Sequence, residues 1–354
     1  MNAIQTITRY LENGDNLTEV FKRASLTQDL ETQEIEFITA RTIKLPNYLF
    51  NGDLADINKT TGELTTLDLS LEWQEYTLQE YKGNSLKVSR PDEMDSGATT
   101  IKFFNKYIRE IVVPYVDKYR LTKLMNGVST ATTKAGNVTA ANSYSTLTAM
   151  KKTMLDQEVT IAGGIIYMCS DFYDKVANST QMTRALVMGS WNGNINDQVE
   201  MYSGAKVVVI PATRWPNASL NFIFVRKEAV LCVQKYKSAT FYEKVPGYEG
   251  SQADFALYHD FYVIASRANG VYCQWEAPAA PVLPAALTAA NKVVLDPSIT
   301  KGADIYYTLD GTDPTSASTK YTEPVAIVST KTFKAVAIKD STSSEVVSKS
   351  YTAA

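Results

Sequence analysis

From Leu67 to Gln74 the chain alternates without a slip. Leu67, Leu69, Leu71 and Trp73 fall on one side, and Asp68, Ser70, Glu72 and Gln74 on the other. A period of two suits a strand with one apolar face and does not suit a helix. The pattern predicts one arm of a long hairpin over residues 36–89. The first strand covers 36–45 and stops at Pro46, and residues 51–62, rich in Asn, Asp, Gly and Thr, form the loop at the tip. A two-stranded ribbon is marginal by itself in water. Its apolar face must lie on the chain's own core or on a neighbouring copy.

Downstream the period changes. Asp95-Ser96-Gly97 offers a helix start, and Ile101, Phe104, Ile108, Ile111, Tyr115 and Tyr119 recur at three- and four-residue steps. That spacing predicts one stripe of a single helix over 97–127. Pro114 lies in its middle and kinks or splits it there, because the ring removes an amide donor. Gly127 ends it. From about 145 the texture becomes alternating helix and strand. Residues 147–157 read as a helix, 165–169 as an apolar strand, and Ser170 or Asp171 as the cap of the next helix. Short apolar strands follow at 205–210 and 221–225. The runs 262–266 and 271–275 flank Asn269-Gly270, a hairpin signal. The expectation is an α+β domain over 145–260 with return strands over 261–276.

A proline/alanine stretch at 277–284 then reads as a stiff, extended linker. Beyond it the helical period disappears. Short strands at 293–295, 305–309, 325–328, 333–338 and 346–351, separated by turns such as Asp310-Gly311 and Asp340-Ser341, predict a small immunoglobulin-like sandwich over 285–354. Residues 1–35 are polar and mixed, an arm that orders against neighbours. The fold class is α+β with a terminal all-β domain.

Composition narrows function by exclusion. With 354 residues, 45% of them apolar, there is ample material for a core. A net charge of −3 argues against a nucleic-acid surface and leaves room only for weak, non-specific contact with DNA. Tyrosine is abundant (21), as interfaces favour, although strands favour it too. The start lacks the pattern of a signal peptide, and no apolar run reaches membrane-spanning length. One histidine, His259, cannot support a Ser-His-Asp triad elsewhere. Cys169, Cys232 and Cys273 sit far apart inside apolar strings and read as buried thiols. Nothing matches a zinc site or a phosphate loop; residues 189–193 read as a flexible turn. Asp310 and Asp313 read as turn residues rather than calcium ligands. No catalytic residue, metal or cofactor is expected.

Two resemblances follow from particular strings. Trp73-Gln74-Glu75-Tyr76-Thr77, Tyr81-Lys82-Gly83-Asn84 and Val112-Val113-Pro114-Tyr115-Val116-Asp117-Lys118-Tyr119-Arg120-Leu121 resemble major capsid proteins of tailed bacteriophages with the Hong Kong 97-type fold. In that family an aromatic-rich extended loop precedes a long spine helix carrying a Val-Pro-x-x-Asp-x-Tyr-Arg type of string. Tyr115 stands where family members often carry an acidic residue, so a salt bridge there is in doubt. Ile305-Tyr306-Tyr307-Thr308-Leu309-Asp310-Gly311-Thr312-Asp313-Pro314 is similar to the non-catalytic C-terminal module of chitobiases and hexosaminidases. The first resemblance implies pentamers and hexamers of an icosahedral shell around DNA, assembled in a bacterial host's cytoplasm, with portal and scaffolding proteins as further partners. It implies inter-subunit contacts at Leu67, Leu69, Leu71, Trp73 and Tyr76. The second implies an outer decoration domain whose turn carries Tyr307, Asp310, Gly311 and Asp313, with a glycan as its candidate ligand. The alternative reading is a carbohydrate-binding surface adhesin; a third is an enzyme with an accessory module.

Overall fold

The computed structural model describes residues 25–31, 41–51, 68–92, 100–179, 201–243, 245, 247–288, 290–296 and 300–352. Leu67, Asp95-Ser96-Gly97, residues 189–193 and most of the expected arm lie outside the described residues. The chain divides into two compact units.

The first unit comprises Glu31–Phe104 and Cys232–Tyr262. Strand β1 (Thr42–Asn51) and β2 (Asp68–Thr77) pair antiparallel over ten residues, from Thr42↔Thr77 to Asn51↔Asp68. The first arm therefore does not stop at Pro46, which sits opposite Trp73 within the ladder. A ribbon of two strands has a free edge on each, and an edge tolerates a residue without an amide donor. Strand β3 (Glu80–Ser89) leaves the ribbon and pairs with a distant strand instead, so the hairpin closes at Thr77 and not near 89.

A helix follows in three parts: α1 (Thr100–Tyr107), a π turn (Ile108–Val112) and α2 (Val113–Gly127), with Pro114 in the first turn of α2. In the π turn the Val113 amide donates to the Ile108 carbonyl, five residues back. The wider turn makes room for a proline that would crowd the preceding carbonyls of an unbroken α-helix. Pro114 thus adds one residue to a turn instead of splitting the helix.

The second unit is built on a six-stranded sheet. Its elements are β4 (Thr133–Ala135), α3 (Ser143–Asp156), β5 (Ile165–Cys169), α4 (Ser170–Ala177), β6 (Met201–Tyr202), β7 (Ala205–Ile210) and β8 (Leu220–Val225). Two long strands, β9 (Val230–Tyr242) and β10 (Gly250–Val263), then run mainly in the first unit, where β10 lies between β3 and β9. The α+β segment expected over 145–260 is thus shared between the units. Strand β11 (Val271–Trp275) returns to the second, giving the order β4-β11-β8-β5-β7-β6.

The expected hairpin between β10 and β11 does not form, because the two strands belong to different sheets. Asn269-Gly270 ends a 3-10 segment over Ala265–Gly270. A Cβ on Gly270 would stand 2.7 Å from the Ala229 methyl, so this glycine serves close approach and not a hairpin turn. Helices α3 and α4 cover one face of the sheet through Leu147, Met150, Met154, Phe172 and Val176, against Phe222, Phe224 and Tyr272. Phe222 stacks on Tyr272 at 5.8 Å and meets Phe172 at 4.9 Å. The cap of α4 is Cys169, one residue earlier than expected: its Sγ accepts from the Phe172 amide.

The described C-terminal residues form strands and no helix: β12 (Lys292–Val293), β13 (Asp304–Thr308), β14 (Thr319–Lys320), β15 (Val325–Ala326), β16 (Lys331–Lys339), β17 (Thr342–Ser343) and β18 (Val347–Tyr351). Two sheets result, β12-β15 and a larger one centred on β13 and β16, which fit an immunoglobulin-like domain. Phe333 anchors the core, stacked on Tyr307 at 5.2 Å and edge-on to Tyr351 at 6.3 Å. Asp340 and Ser341, both at positive φ, form the two-residue β16–β17 turn.

Candidate functional site

The ribbon carries large apolar side chains whose exposure the fold does not explain. Leu71 and Trp73 share one face of β2 and are 47% and 54% exposed. Pro46, opposite Trp73, is also exposed, and the next cross-strand pair is the Lys44–Glu75 ion pair. The strand face is as expected, and among the described residues it is open to solvent. Leu69 pairs with Phe50 through its backbone.

Tyr76 behaves differently. Its ring lies 5.1 Å from that of Tyr262, and its hydroxyl donates to Gln74 Oε1 at 2.9 Å. It therefore packs within the chain, at the base of the ribbon. There the β2–β3 connector is tightly held. Asp260 Oδ2 accepts from the Gln79 amide at 3.0 Å and from the Tyr262 hydroxyl at 2.7 Å. Tyr262 Oη also lies 2.5 Å from the Thr77 carbonyl, and Tyr258 donates to that of Leu78 at 3.1 Å. Burial and the bond to Asp260 push the Tyr262 phenol well above its ordinary value, so it stays a donor. This cluster sets how the ribbon leaves its sheet, and the isolated positions of Asp260, Tyr258 and Tyr262 in sequence gave no sign of it.

The helical stripe shows a one-residue slip. Phe104 and Ile108 are buried as expected, and Phe104 meets Phe241 edge-on at 5.1 Å. Past the π turn the buried face runs through Val112, Val116 and Arg120, whereas Ile111, Tyr115 and Tyr119 were expected there. One extra residue in a turn moves every later residue round the helix by one position. Ile111 is 57% exposed and Tyr115 is exposed too, stacked on Tyr119 at 6.3 Å. Lys123 sits over the Tyr119 ring at 5.2 Å. Ile101 is exposed as well. The proline thus turns an expected core stripe into a second apolar row at the surface.

The inward side of α2 holds a buried charged node. Asp117, fully buried, accepts from Ser25 Oγ and Thr27 Oγ1, both at 2.7 Å, from the Leu26 amide at 3.2 Å, and from Arg214 Nη1 at 2.9 Å. Arg120 Nη1 donates to the Thr27 carbonyl at 3.3 Å and to its hydroxyl at 3.1 Å. A carboxylate without water needs this many donors. The node ties residues 25–30, including buried Leu30, to the spine of the second unit. Asp117 and Arg120 belong to the Val-Pro-x-x-Asp-x-Tyr-Arg string, whose spacing gave no clue to their partners some ninety residues away.

Little here suggests bond-making chemistry. His259 is buried in β10 opposite Glu80. Cys232 and Cys273 are buried and Cys169 half-buried, and burial pushes the Cys169 and Cys273 thiols up, away from the reactive thiolate. Among the described residues no group of His, Cys, Asp or Glu is placed to hold a metal ion, and no helix is long and apolar enough to cross a membrane. In the terminal domain, Asp310 Oδ1 accepts from the amide and the hydroxyl of Thr312, Gly311 takes a positive φ, and Asp313 pairs with Lys334 at 2.8 Å. Tyr307 lies in β13, partly buried against the Phe333 core, and is not part of the turn that Asp310, Gly311 and Asp313 build.

The fold that these elements build recurs in solved structures. The capsid of Cyanophage P-SCSP1u superposes with a TM-score of 0.58 at 11% identity, covering 71% of this chain and 88% of that one. The fold is that of phage capsids. The mature capsid of bacteriophage PhiM1 gives 0.54 at 11% identity (70% and 83% covered), and a structure from Mycobacterium phage Che8 gives 0.53 at 12% (70% and 89%). Residues 293–351 match the family model described as Fn3 associated. No curated protein matches the chain.

Proposed function

We propose that this chain is the major capsid protein of a tailed phage, of the Hong Kong 97 type, assembling as pentamers and hexamers into an icosahedral head around DNA. The observation that carries the reading is the open face of Pro46, Leu71 and Trp73 on a ribbon of the capsid-like fold. Ten ladder pairs hold that ribbon, yet Leu71 and Trp73 are left in water. A neighbouring copy that covered them would remove apolar surface at roughly 25 cal/mol per Å², and the many equivalent contacts of a closed shell would add through multivalency. The row of exposed Ile111 and Tyr115 with half-buried Tyr119 offers a second surface of the same kind. The role is structural and not catalytic. Portal and scaffolding proteins are its further partners, DNA contact is weak and non-specific, and the terminal domain faces outward, with a glycan as its candidate ligand.

Negative-stain electron microscopy with light scattering on the chain alone, at micromolar concentration, tests this. Capsomers, tubes or shells are expected, and Trp73→Ala should suppress them while leaving a folded monomer. A chain that stays monomeric with and without a co-expressed scaffold, and assembles no differently as Trp73→Ala, would overturn the reading.

A further inference from the structure

The terminal domain is joined to the sheet of the second unit by more than its linker. Among the described residues, strand β4 is the last strand of that sheet and pairs only with β11. An unpaired strand edge is the feature most exposed to unwanted strand addition. On this one the Thr133 amide donates to the Thr130 carbonyl at 3.4 Å, and the Ala135 amide donates to Asp340 Oδ2 at 3.1 Å. Asp340 occupies the tip of the β16–β17 turn at φ 49, a conformation that aspartate tolerates better than most residues.

The same corner is closed by backbone approach. Gly302, at φ 73, stands where a Cβ would be 2.4 Å from Thr130 Cγ2 and 2.9 Å from Lys339 Nζ. Lys339 is itself buried, which pulls its ammonium below the ordinary value. The linker is not free either. Pro278 and Pro281 are buried, and the Ala279 amide donates to Thr300 Oγ1, also buried, at 2.9 Å. The Pro284 carbonyl accepts from Tyr351 Oη at 2.8 Å and Lys349 Nζ at 2.9 Å.

We infer that the terminal domain is a fixed cap on the open β4 edge of the six-stranded sheet, plugged in by Asp340, and not a module swinging on a tether. The inference is independent of the capsid reading. If both hold, every copy presents its outer domain in one orientation, and the sheet cannot be extended at β4 by a neighbour's strand.

Hydrogen exchange at single-amide resolution on the full chain tests it, together with limited proteolysis of residues 277–288. In the unmodified chain the Ala135 amide should be protected although it faces away from the sheet, and the linker should resist cleavage. Asp340→Gly keeps the turn and removes the plug; exchange at Ala135 should rise about tenfold, the effect of losing one charge-assisted hydrogen bond. Asp340→Asn retains an acceptor oxygen and should stay near the original. Protection across 331–339 reports whether the domain itself remains folded. Should Asp340→Gly lose it, Thr300→Val decides, because it cuts the other anchor and should open the linker to protease. An unprotected Ala135 amide in the unmodified chain would overturn the cap, as would a linker cleaved as fast in that chain as in Thr300→Val.

Discussion

Strands β2 and β8 divide the labour of a β-strand in opposite ways. Strand β2 has a full ladder to β1 and leaves Leu71 and Trp73 in solvent; β8 is shorter and buries every one of its six side chains. Backbone pairing alone holds a two-stranded ribbon only marginally, so β2 depends on something outside the described contacts, while β8 stabilises the chain it belongs to. The same kind of truncation should separate them. Phe222→Ala in β8 removes the ring packed between Phe172 and Tyr272 and should cost about 3 to 5 kcal/mol in chemical denaturation. Trp73→Ala should change monomer stability by no more than about 0.5 kcal/mol and act on assembly instead, where an anchoring Trp is worth about 2 kcal/mol or more. A large loss of monomer stability in Trp73→Ala would show that the ribbon serves its own subunit and would erase the contrast.

A sharper version of the contrast lies on α2, whose outward row is apolar and whose inward side holds charge. Asp117→Asn keeps the shape of the node but cannot satisfy Ser25, Thr27, Leu26 and Arg214 together. A loss of about 1.5 to 3 kcal/mol is expected, the usual range for hydrogen bonds to a charged group, accompanied by faster proteolysis near residues 25–30. Tyr115→Ala on the opposite side should leave stability nearly unchanged. Equal effects would mean that the outward row is as much core as the inward one.

These inversions explain what the sequence could and could not disclose. Strands β5 and β7 were legible to the residue: β5 is a continuous apolar run after Gly163-Gly164, and β7, apolar apart from Lys206, is stopped by Pro211. Five strands of the terminal domain were legible from their turns, whereas the two-residue strands β14 and β17 were too short to leave a pattern. Of the helical stripe only Phe104 and Ile108 are buried; past them the reading failed because periodicity assumes an unbroken 3.6-residue turn and the π turn before Pro114 breaks it. The Asp117 node and the Asp260 clamp were hidden for another reason. A carboxylate on an amphipathic pattern looks like a solvated residue until its distant donors are known. Asn269-Gly270 misled because glycine also permits close approach, which sequence does not distinguish from a turn.

The smallest expected effect concerns Asp310, the exposed counterpart of buried Asp117. Its carboxyl is held below the ordinary range, first by the Thr312 hydroxyl and then by the Thr312 amide. A carboxyl depressed in the folded state adds stability above its unfolded pKa and loses that contribution as pH falls through the folded value. Thr312→Val removes the hydroxyl and should move the Asp310 titration back toward the ordinary carboxylate range, read by carboxyl-carbon NMR. Because water screens the site, global stability should hardly respond. If the titration did not move, the turn would owe its shape to Gly311 and the backbone amide alone. The two aspartates would then differ in kind, one held by side chains gathered from across the fold and the other by its own neighbours in sequence.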